Sequence, residues 1–127
     1  TPKRFVLDML EEGYDVLLEI DVQGSAQIRQ KYPQAVAVFV LPPSRKLLLA
    51  RLVGRNTETQ ADMTLRMHNA IRELIAANQC DYLIVNDDLD QAVRDLECLI
   101  AAEHLRKERN RQLLDDISLE FQEVDEP

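Results

Sequence analysis

Three short runs of apolar residues constrain the fold of this chain more than any other feature. They span 16–21 (VLLEID), 35–41 (AVAVFVL) and 82–86 (YLIVN). Each run is nearly continuous in apolar residues instead of alternating with polar ones, which is typical of strands covered on both faces in a parallel sheet. The runs therefore predict a parallel β-sheet with helices packed against both of its sides.

Helical patterns lie between and around these runs. Helices are predicted over 2–12, 23–31, 44–53, 60–78 and 89–109. Gly13 and Gly54 are the predicted stops of two of them, and Ser44 is a predicted N-cap. The resulting order, α, β, α, β, α, α, β, α, indicates an α/β chain with right-handed crossovers. With 127 residues, the chain has the size of one domain.

Charge is distributed unevenly along the chain. Eight Lys and Arg against two acids give segment 22–72 a net charge of +6; since the whole chain carries −8, the remainder carries −14. A protein that is acidic overall is repelled by nucleic acid, whereas a local basic region suits a compact anion such as a nucleotide phosphate. No apolar run approaches the roughly 18 residues that cross a bilayer, and no signal-peptide pattern occurs. We therefore expect a cytoplasmic protein that binds neither nucleic acid nor membrane.

Three arginines cluster around a turn within the basic segment. Arg51 and Arg55 are four residues apart at the end of one predicted helix, and Arg66 lies on the next. A helix-turn-helix hairpin would bring Arg66 back toward Arg55, and guanidinium groups match the geometry of phosphate. Spacing alone leaves a second interpretation open, in which these are solvated arginines in weak surface ion pairs.

Polar residues end two of the predicted strands at the carboxyl edge of the sheet, where open α/β folds bind ligands. Glu19 and Asp21 close the first strand, and because they alternate across it they cannot point the same way. A helix-capping or solvated carboxylate is the competing interpretation. Asn86 ends the third strand, while Asp87 and Asp88 after it are better explained by capping and the helix dipole.

No other constellation in the sequence indicates a metal site or a nucleophile. Cys80 and Cys98 lack a C-x-x-C or Cys/His spacing, and His68 and His104 have no second ligand at metal spacing. The 127 residues also contain no Gly-rich phosphate loop and no arrangement of Ser, His and Asp for nucleophilic catalysis. We therefore predict no metal-binding residue.

Taken in order, the motifs EIDVQG, LPPS, RLVGRNTET and VNDDLD resemble those of guanylate kinases, which transfer a phosphoryl group from ATP to GMP. The match extends from Thr1 to about Arg106, and the run after it resembles the extension of some bacterial members. The resemblance implies an α/β fold that is part of a P-loop nucleoside-monophosphate kinase, with a parallel sheet, flanking helices and a helical lid. It also implies ATP and magnesium as cofactors, GMP and ATP as partners, and a role in purine nucleotide metabolism.

On the ATP side, the resemblance assigns four residues. Arg51, Arg55 and Arg66 match the lid arginines that hold the ATP phosphates and cover the adenine. Arg66 is the best match for the group that stabilises charge on the transferred phosphoryl. Asn86 matches the asparagine beside the adenine.

On the GMP side, three positions match. Asp21 matches the acid that reads the guanine edge, and Glu19 stands where relatives often have Asp, near the phosphates and magnesium. Thr1 matches a hydroxyl near the guanine. A carboxylate that accepts hydrogen bonds from guanine would reject adenine, because adenine would leave a buried charge unpaired.

The family pattern also implies how the chain is divided. A single partial kinase domain is expected, in which 1–13 end the GMP-binding segment, 14–50 and 79–107 form the core, 51–78 the lid, and 108–127 a peripheral helix and tail. In the family, the P-loop with its strand and most of the GMP-binding segment precede the residue that matches Thr1. They are not among these residues, so magnesium is expected to be held mainly outside this chain.

The same analogy places the P-loop strand between 16–21 and 35–41. Two apolar strand edges then lack a neighbour. We expect this chain either to rearrange or to pair with another copy as a homo-oligomer, and not to catalyse phosphoryl transfer unaided.

Two related functions are alternatives to the enzyme. Guanylate-kinase-like scaffold domains keep the fold and bind phosphopeptides, but they typically lose lid arginines, and all three are retained here. The other alternative is a phosphoribosyl-bisphosphate-forming kinase of the same superfamily. Asp21 matches an acid that reads guanine, which favours a kinase that acts on GMP.

Overall fold

A computed structural model describes residues 2–44 and 59–125 of the chain. In chain order, its elements are α1 (Lys3–Glu11), α2 (Val22–Lys31), β1 (Val38–Leu41), α3 (Gln60–Ala77), β2 (Tyr82–Val85), α4 (Leu89–His104), a 3-10 helix (Lys107–Asn110) and α5 (Arg111–Asp125). The α/β class and the parallel sheet predicted from the sequence are confirmed. Residues 45–53 of the predicted helix over 44–53, and its predicted stop Gly54, lie outside the described residues.

Helix α1 ends where a glycine turns the chain back. Gly13 has φ +95°, its N–H donates to the carbonyl of Leu10 at 3.0 Å, and the N–H of Tyr14 donates to the carbonyl of Met9 at 3.0 Å. These two bonds form a Schellman motif, whose left-handed residue is usually glycine because it has no Cβ. The predicted stop at Gly13 is confirmed.

Side chains cap the first turns of α2, α3 and α4. Asp21 accepts a hydrogen bond from the backbone N–H three residues on at 2.7 Å, and Thr59 does the same at 3.2 Å. Asp88 accepts from the N–H two residues on, at 3.0 Å. Each bond satisfies an N–H that the helix itself leaves without a partner. The local sequence thus sets where these helices begin.

The sheet described by the structure has two parallel strands. Its register runs from Val38 opposite Tyr82 to Leu41 opposite Val85. Helix α4 packs against β2. Ile84, on the same face as Tyr82, is 6% exposed, whereas Leu83 on the opposite face is 57% exposed. One face of β2 is therefore covered, and the other presents apolar side chains.

The predicted strand over 16–21 is wrong for this structure. The segment is neither helical nor paired, and Leu17 is 71% exposed. An apolar extended segment becomes a strand only where a neighbour supplies ladder hydrogen bonds. Among the described residues none does.

The second predicted strand is shortened for a different reason. Residues 35–37 lie outside β1 because the Asp81 carboxylate accepts the N–H of Ala37 at 2.8 Å. In turn, the carbonyl of Ala37 accepts the N–H groups of Asp81 at 2.8 Å and of Tyr82 at 3.2 Å. A side chain thus replaces the ladder at this end of the strand.

Two predicted helix ends also differ from the structure. Helix α4 ends at His104, before the predicted 109, because the Asn110 side chain donates to the carbonyls of His104 at 2.9 Å and Arg106 at 2.8 Å. The segment 108–127, predicted as a peripheral helix and tail, contains the end of the 3-10 helix and α5. Across the described ranges, no helix is both long and apolar enough to cross a membrane.

Candidate functional site

The carboxyl ends of β1 and β2 form one edge of the sheet. The N–H of Asn86, directly after β2, donates to the carbonyl of Leu41 at the end of β1 at 2.7 Å. Asn86 is half-buried, while Asp87 and Asp88 after it are exposed. The structure thus fixes the backbone of Asn86 at the edge where the sequence predicts a ligand.

Asp21 lies at the start of α2, with an exposed side chain. Its Oδ1 accepts the N–H of Gly24 at 2.7 Å, and a Cβ on Gly24 would lie 3.0 Å from that oxygen. The capping interpretation of Asp21 is therefore confirmed. A carboxylate offers about four lone-pair sites, so capping by Oδ1 leaves Oδ2 available to accept hydrogen bonds from a ligand. The helix N-terminus also favours negative charge at this place.

Helix α2 is tied to the sheet at its other end. Arg29, near the end of α2, lies 3.4 Å from the Asp81 carboxylate and also donates to the carbonyl of Gln79. Both contacts are at the amino end of β2. Asp21 is eight residues before Arg29, which corresponds to about 12 Å along the helix. The contact therefore fixes the helix that carries Asp21 relative to the sheet.

Of the other predicted site residues, the structure describes two. Glu19 lies in the unpaired extended segment and is exposed, and Arg66 is half-buried in α3 and has interactions within the protein. Thr1, Arg51 and Arg55 lie outside the described residues. The convergence of the three arginines stays a prediction.

One cluster was missed by the sequence reasoning. Glu103, in the last turn of α4, is only 6% exposed. Its Oε1 accepts the Tyr82 hydroxyl at 2.5 Å and Arg106 Nη1 at 3.3 Å, and its Oε2 accepts Arg109 Nη2 at 3.5 Å. Arg106 at i+3 was the available sequence signal. The burial of Glu103 was not visible, because it depends on Tyr82, 21 residues earlier.

These contacts change the acidity of the groups involved. The hydrogen bond from Tyr82 lowers the pKa of the Glu103 carboxyl, as do the neighbouring guanidinium groups of Arg106 and Arg109, while burial raises it. The same hydrogen bond, which the Tyr82 hydroxyl donates to Glu103, raises the pKa of Tyr82. Both shifts favour an ionised carboxylate that accepts from a neutral phenol.

Magnesium ligands do not gather in the described part of the chain. Within residues 2–44 and 59–125, no group of three His, Cys, Asp or Glu side chains is placed to hold a metal ion. Glu19, the acid that the resemblance places near magnesium, is exposed in a segment without ladder partners. These side chains do not by themselves fit a magnesium site.

Comparison with known proteins agrees with the motifs. A family model described as guanylate kinase matches residues 1–103. The guanylate kinase of Caldanaerobacter subterraneus subsp. tengcongensis is 43% identical to the chain over 113 residues, which cover 89% of the chain and 55% of that relative. The chain therefore spans little more than half the length of the curated relative that it matches.

Proposed function

Because the chain belongs to the guanylate kinase family, we propose that the intact protein transfers a phosphoryl group from ATP to GMP in purine nucleotide metabolism of the cytoplasm. The observation that carries this proposal is the family match over residues 1–103, together with 43% identity to a guanylate kinase. The geometry of Asp21 supports it. The chain contributes the lid and part of the GMP site.

On the GMP side, we assign the guanine edge to Asp21. Its Oδ1 is held by the N–H of Gly24 at 2.7 Å, so the carboxylate is oriented before a ligand arrives. Oδ2 then accepts from the guanine N1–H or 2-amino group, which adenine lacks in this arrangement. Thr1 provides a hydroxyl near the base, and Glu19 lies toward the phosphates.

On the ATP side, we assign the phosphates to Arg51, Arg55 and Arg66 and the adenine to Asn86. Phosphoryl transfer requires mainly positioning and positive charge around the transferred group. Arginine meets both needs because its planar fork donates two hydrogen bonds to one phosphate. Closure of the lid over both nucleotides would also exclude water from the terminal phosphate. The backbone bond from Asn86 to Leu41 supports its position at the nucleotide edge.

Magnesium is assigned mainly to residues outside this chain. The ion, when bound, neutralises charge on the ATP phosphates. It is usually held by one or two carboxylates together with the phosphates and water. In this proposal Glu19 is the carboxylate of the chain that lies toward the phosphates and the ion.

Two alternatives are less well supported. A scaffold domain that binds phosphopeptides would not need the three lid arginines, which this sequence retains. A phosphoribosyl-bisphosphate-forming kinase would not need an acid that reads guanine. The proposal therefore makes GMP the nucleotide that the intact protein prefers.

The test is calorimetric titration of the intact protein with GMP, AMP and a phosphopeptide. We expect GMP to bind and Asp21→Ala to weaken it at least about tenfold, because the guanine donors lose a charged acceptor. The substitution also removes an N-cap, at a cost of about 1 kcal/mol.

Asp88→Ala is the matched control, because it removes the N-cap of α4 without touching the guanine position. It should lower stability by a similar amount and leave GMP affinity unchanged. Equal loss of GMP affinity in both variants would contradict the role of Asp21. Preference for AMP or for the phosphopeptide would contradict the enzyme proposal itself.

A further inference from the structure

The amino end of the sheet is held by charged side chains. The Asp81 carboxylate accepts the N–H of Ala37 at 2.8 Å and lies 3.4 Å from Arg29. This end lies opposite the candidate nucleotide edge at Asn86. The bond from the backbone of Ala37 to the Asp81 side chain therefore limits how β1 moves relative to β2, in addition to the ladder itself.

Glu103 extends this arrangement to the C-terminal part of the chain. Through Oε1 it holds the Tyr82 hydroxyl at the first residue of β2, at 2.5 Å. Through Oε2 it holds Arg109 Nη2 at 3.5 Å, and the same nitrogen donates to the carbonyl of Gln34 at 3.4 Å. One buried carboxylate thus joins the start of β2 to the segment that leads into β1.

Both strands run from this cluster to the nucleotide edge in four residues. At about 3.3 Å per residue, this is about 13 Å. A slip of one residue between neighbouring strands would move every side chain to the opposite face. Contacts that fix the register at one end therefore also fix where Leu41 and Asn86 lie at the other.

We propose that Glu103 and Arg109 are positioning residues for the adenine side of the site. By holding the amino ends of β1 and β2 together, they place the backbone of Asn86 at the carboxyl edge. The segment after α4 thereby becomes part of the nucleotide-binding machinery. The ligand named in this inference, ATP, comes from the proposed function. The contacts of Glu103 and Arg109 do not depend on it.

The test uses the intact protein with Glu103→Gln, which keeps the side-chain volume and removes the charge. We expect the Kd for a non-hydrolysable ATP analogue to rise about tenfold, which is the size of effect that packed elements transmit between distant positions. The Kd for GMP should stay nearly unchanged. Amide hydrogen exchange at Asn86 should accelerate by a similar factor, because the edge opens more often.

Arg109→Gln is the second variant, since Arg109 is partly exposed and its loss leaves the bond between Tyr82 and Glu103 in place. It should shift both measurements in the same direction. Glu108→Gln is the control, because this neighbouring acid is exposed and pairs with Arg106 at 3.6 Å.

A merely stabilising role predicts a different result. Glu103→Gln would then lower the unfolding midpoint while ATP-analogue affinity and Asn86 exchange stayed as in the unaltered protein, and the proposal would be overturned. If the unaltered protein bound no ATP analogue, the proposed function would fail, whereas Asn86 exchange would still decide this inference.

Discussion

At the scale of single residues, two carboxylates show how differently an acid is used. Asp21 is exposed, and one of its carboxylate oxygens accepts the N–H of Gly24. Glu103 is buried, and both of its oxygens accept hydrogen bonds within the protein. The first is free to accept from a ligand, whereas the second has partners that make it part of the framework.

The buried Glu103 carboxylate makes the free energy of unfolding depend on pH. A carboxyl whose pKa is lowered on folding contributes stability that is fully present above its unfolded pKa, 4.5 for Glu103. This stability is lost as the pH falls through the folded-state pKa. Glu103→Gln should cost about 1–3 kcal/mol at neutral pH, because the half-buried Tyr82 hydroxyl and two arginines lose a charged acceptor. The difference from the unaltered protein should shrink as the pH falls below about 5.

Urea unfolding midpoints measured at several pH values would check this. Glu97→Gln is the control, because Glu97 is an exposed acid on the same helix. It should change stability little at any pH. A Glu103→Gln deficit that stayed constant down to acid pH would show that the ionised carboxylate is not what stabilises the cluster.

At the scale of elements, local signals account for most helix boundaries. Helix α1 stops at Gly13, and α2, α3 and α4 start at side-chain caps. These signals act over three or four residues, so they can be read directly from the sequence. The break after α4 is different, since it depends on Asn110 reaching back to two carbonyls.

The end of α1 offers a prediction at this scale. Gly13→Ala should lower the free energy of unfolding by about 1 kcal/mol or more, because φ of +95° strains a residue with a Cβ. Nothing lies within 4 Å of a Cβ at this place, so the cost comes from the backbone alone. Thermal unfolding of the intact protein would measure it.

Gly13→Asn serves as the comparison, because asparagine tolerates left-handed backbone better than alanine does. It should lose less stability than Gly13→Ala. Equal losses would indicate that the left-handed conformation at Gly13 does not determine the cost.

At the scale of the whole molecule, apolar surface exceeds what the described core covers. Ala37, Ala70, Ala77 and Ile84 are the buried apolar residues in the described part of the chain. By contrast, Leu83 on the sheet is 57% exposed. Unpaired edges and open apolar faces favour pairing with another chain.

We therefore expect the 127-residue chain by itself to self-associate. Light scattering should give a mass above 14.6 kDa that rises with concentration. Leu83→Lys should reduce the association, because a charge on the open face opposes pairing. Leu105→Lys, at an exposed residue after α4, is the control and should have little effect. A monomer at every concentration would contradict the homo-oligomer proposal.

The predicted site was accessible from the sequence to different degrees. The backbone of Asn86 could be placed because parallel strands end at one edge. Asp21 was predicted to end a strand and instead caps α2, as its competing interpretation had it. The role of Glu103 could not be predicted, because an acid in a helix looks the same whether it is buried or solvated. Whether Arg51 and Arg55 meet Arg66 stays a prediction.

The sequence by itself determined the family, the α/β class, the capping of α2 and α4 and the stop at Gly13. These depend on motifs and on interactions between near neighbours in the chain. Only the tertiary structure decided that 16–21 stays unpaired, that β1 begins at Val38, and that Glu103 is buried beneath Tyr82. Strand pairing and burial depend on residues far apart in the chain, and their meeting is not encoded in any local pattern.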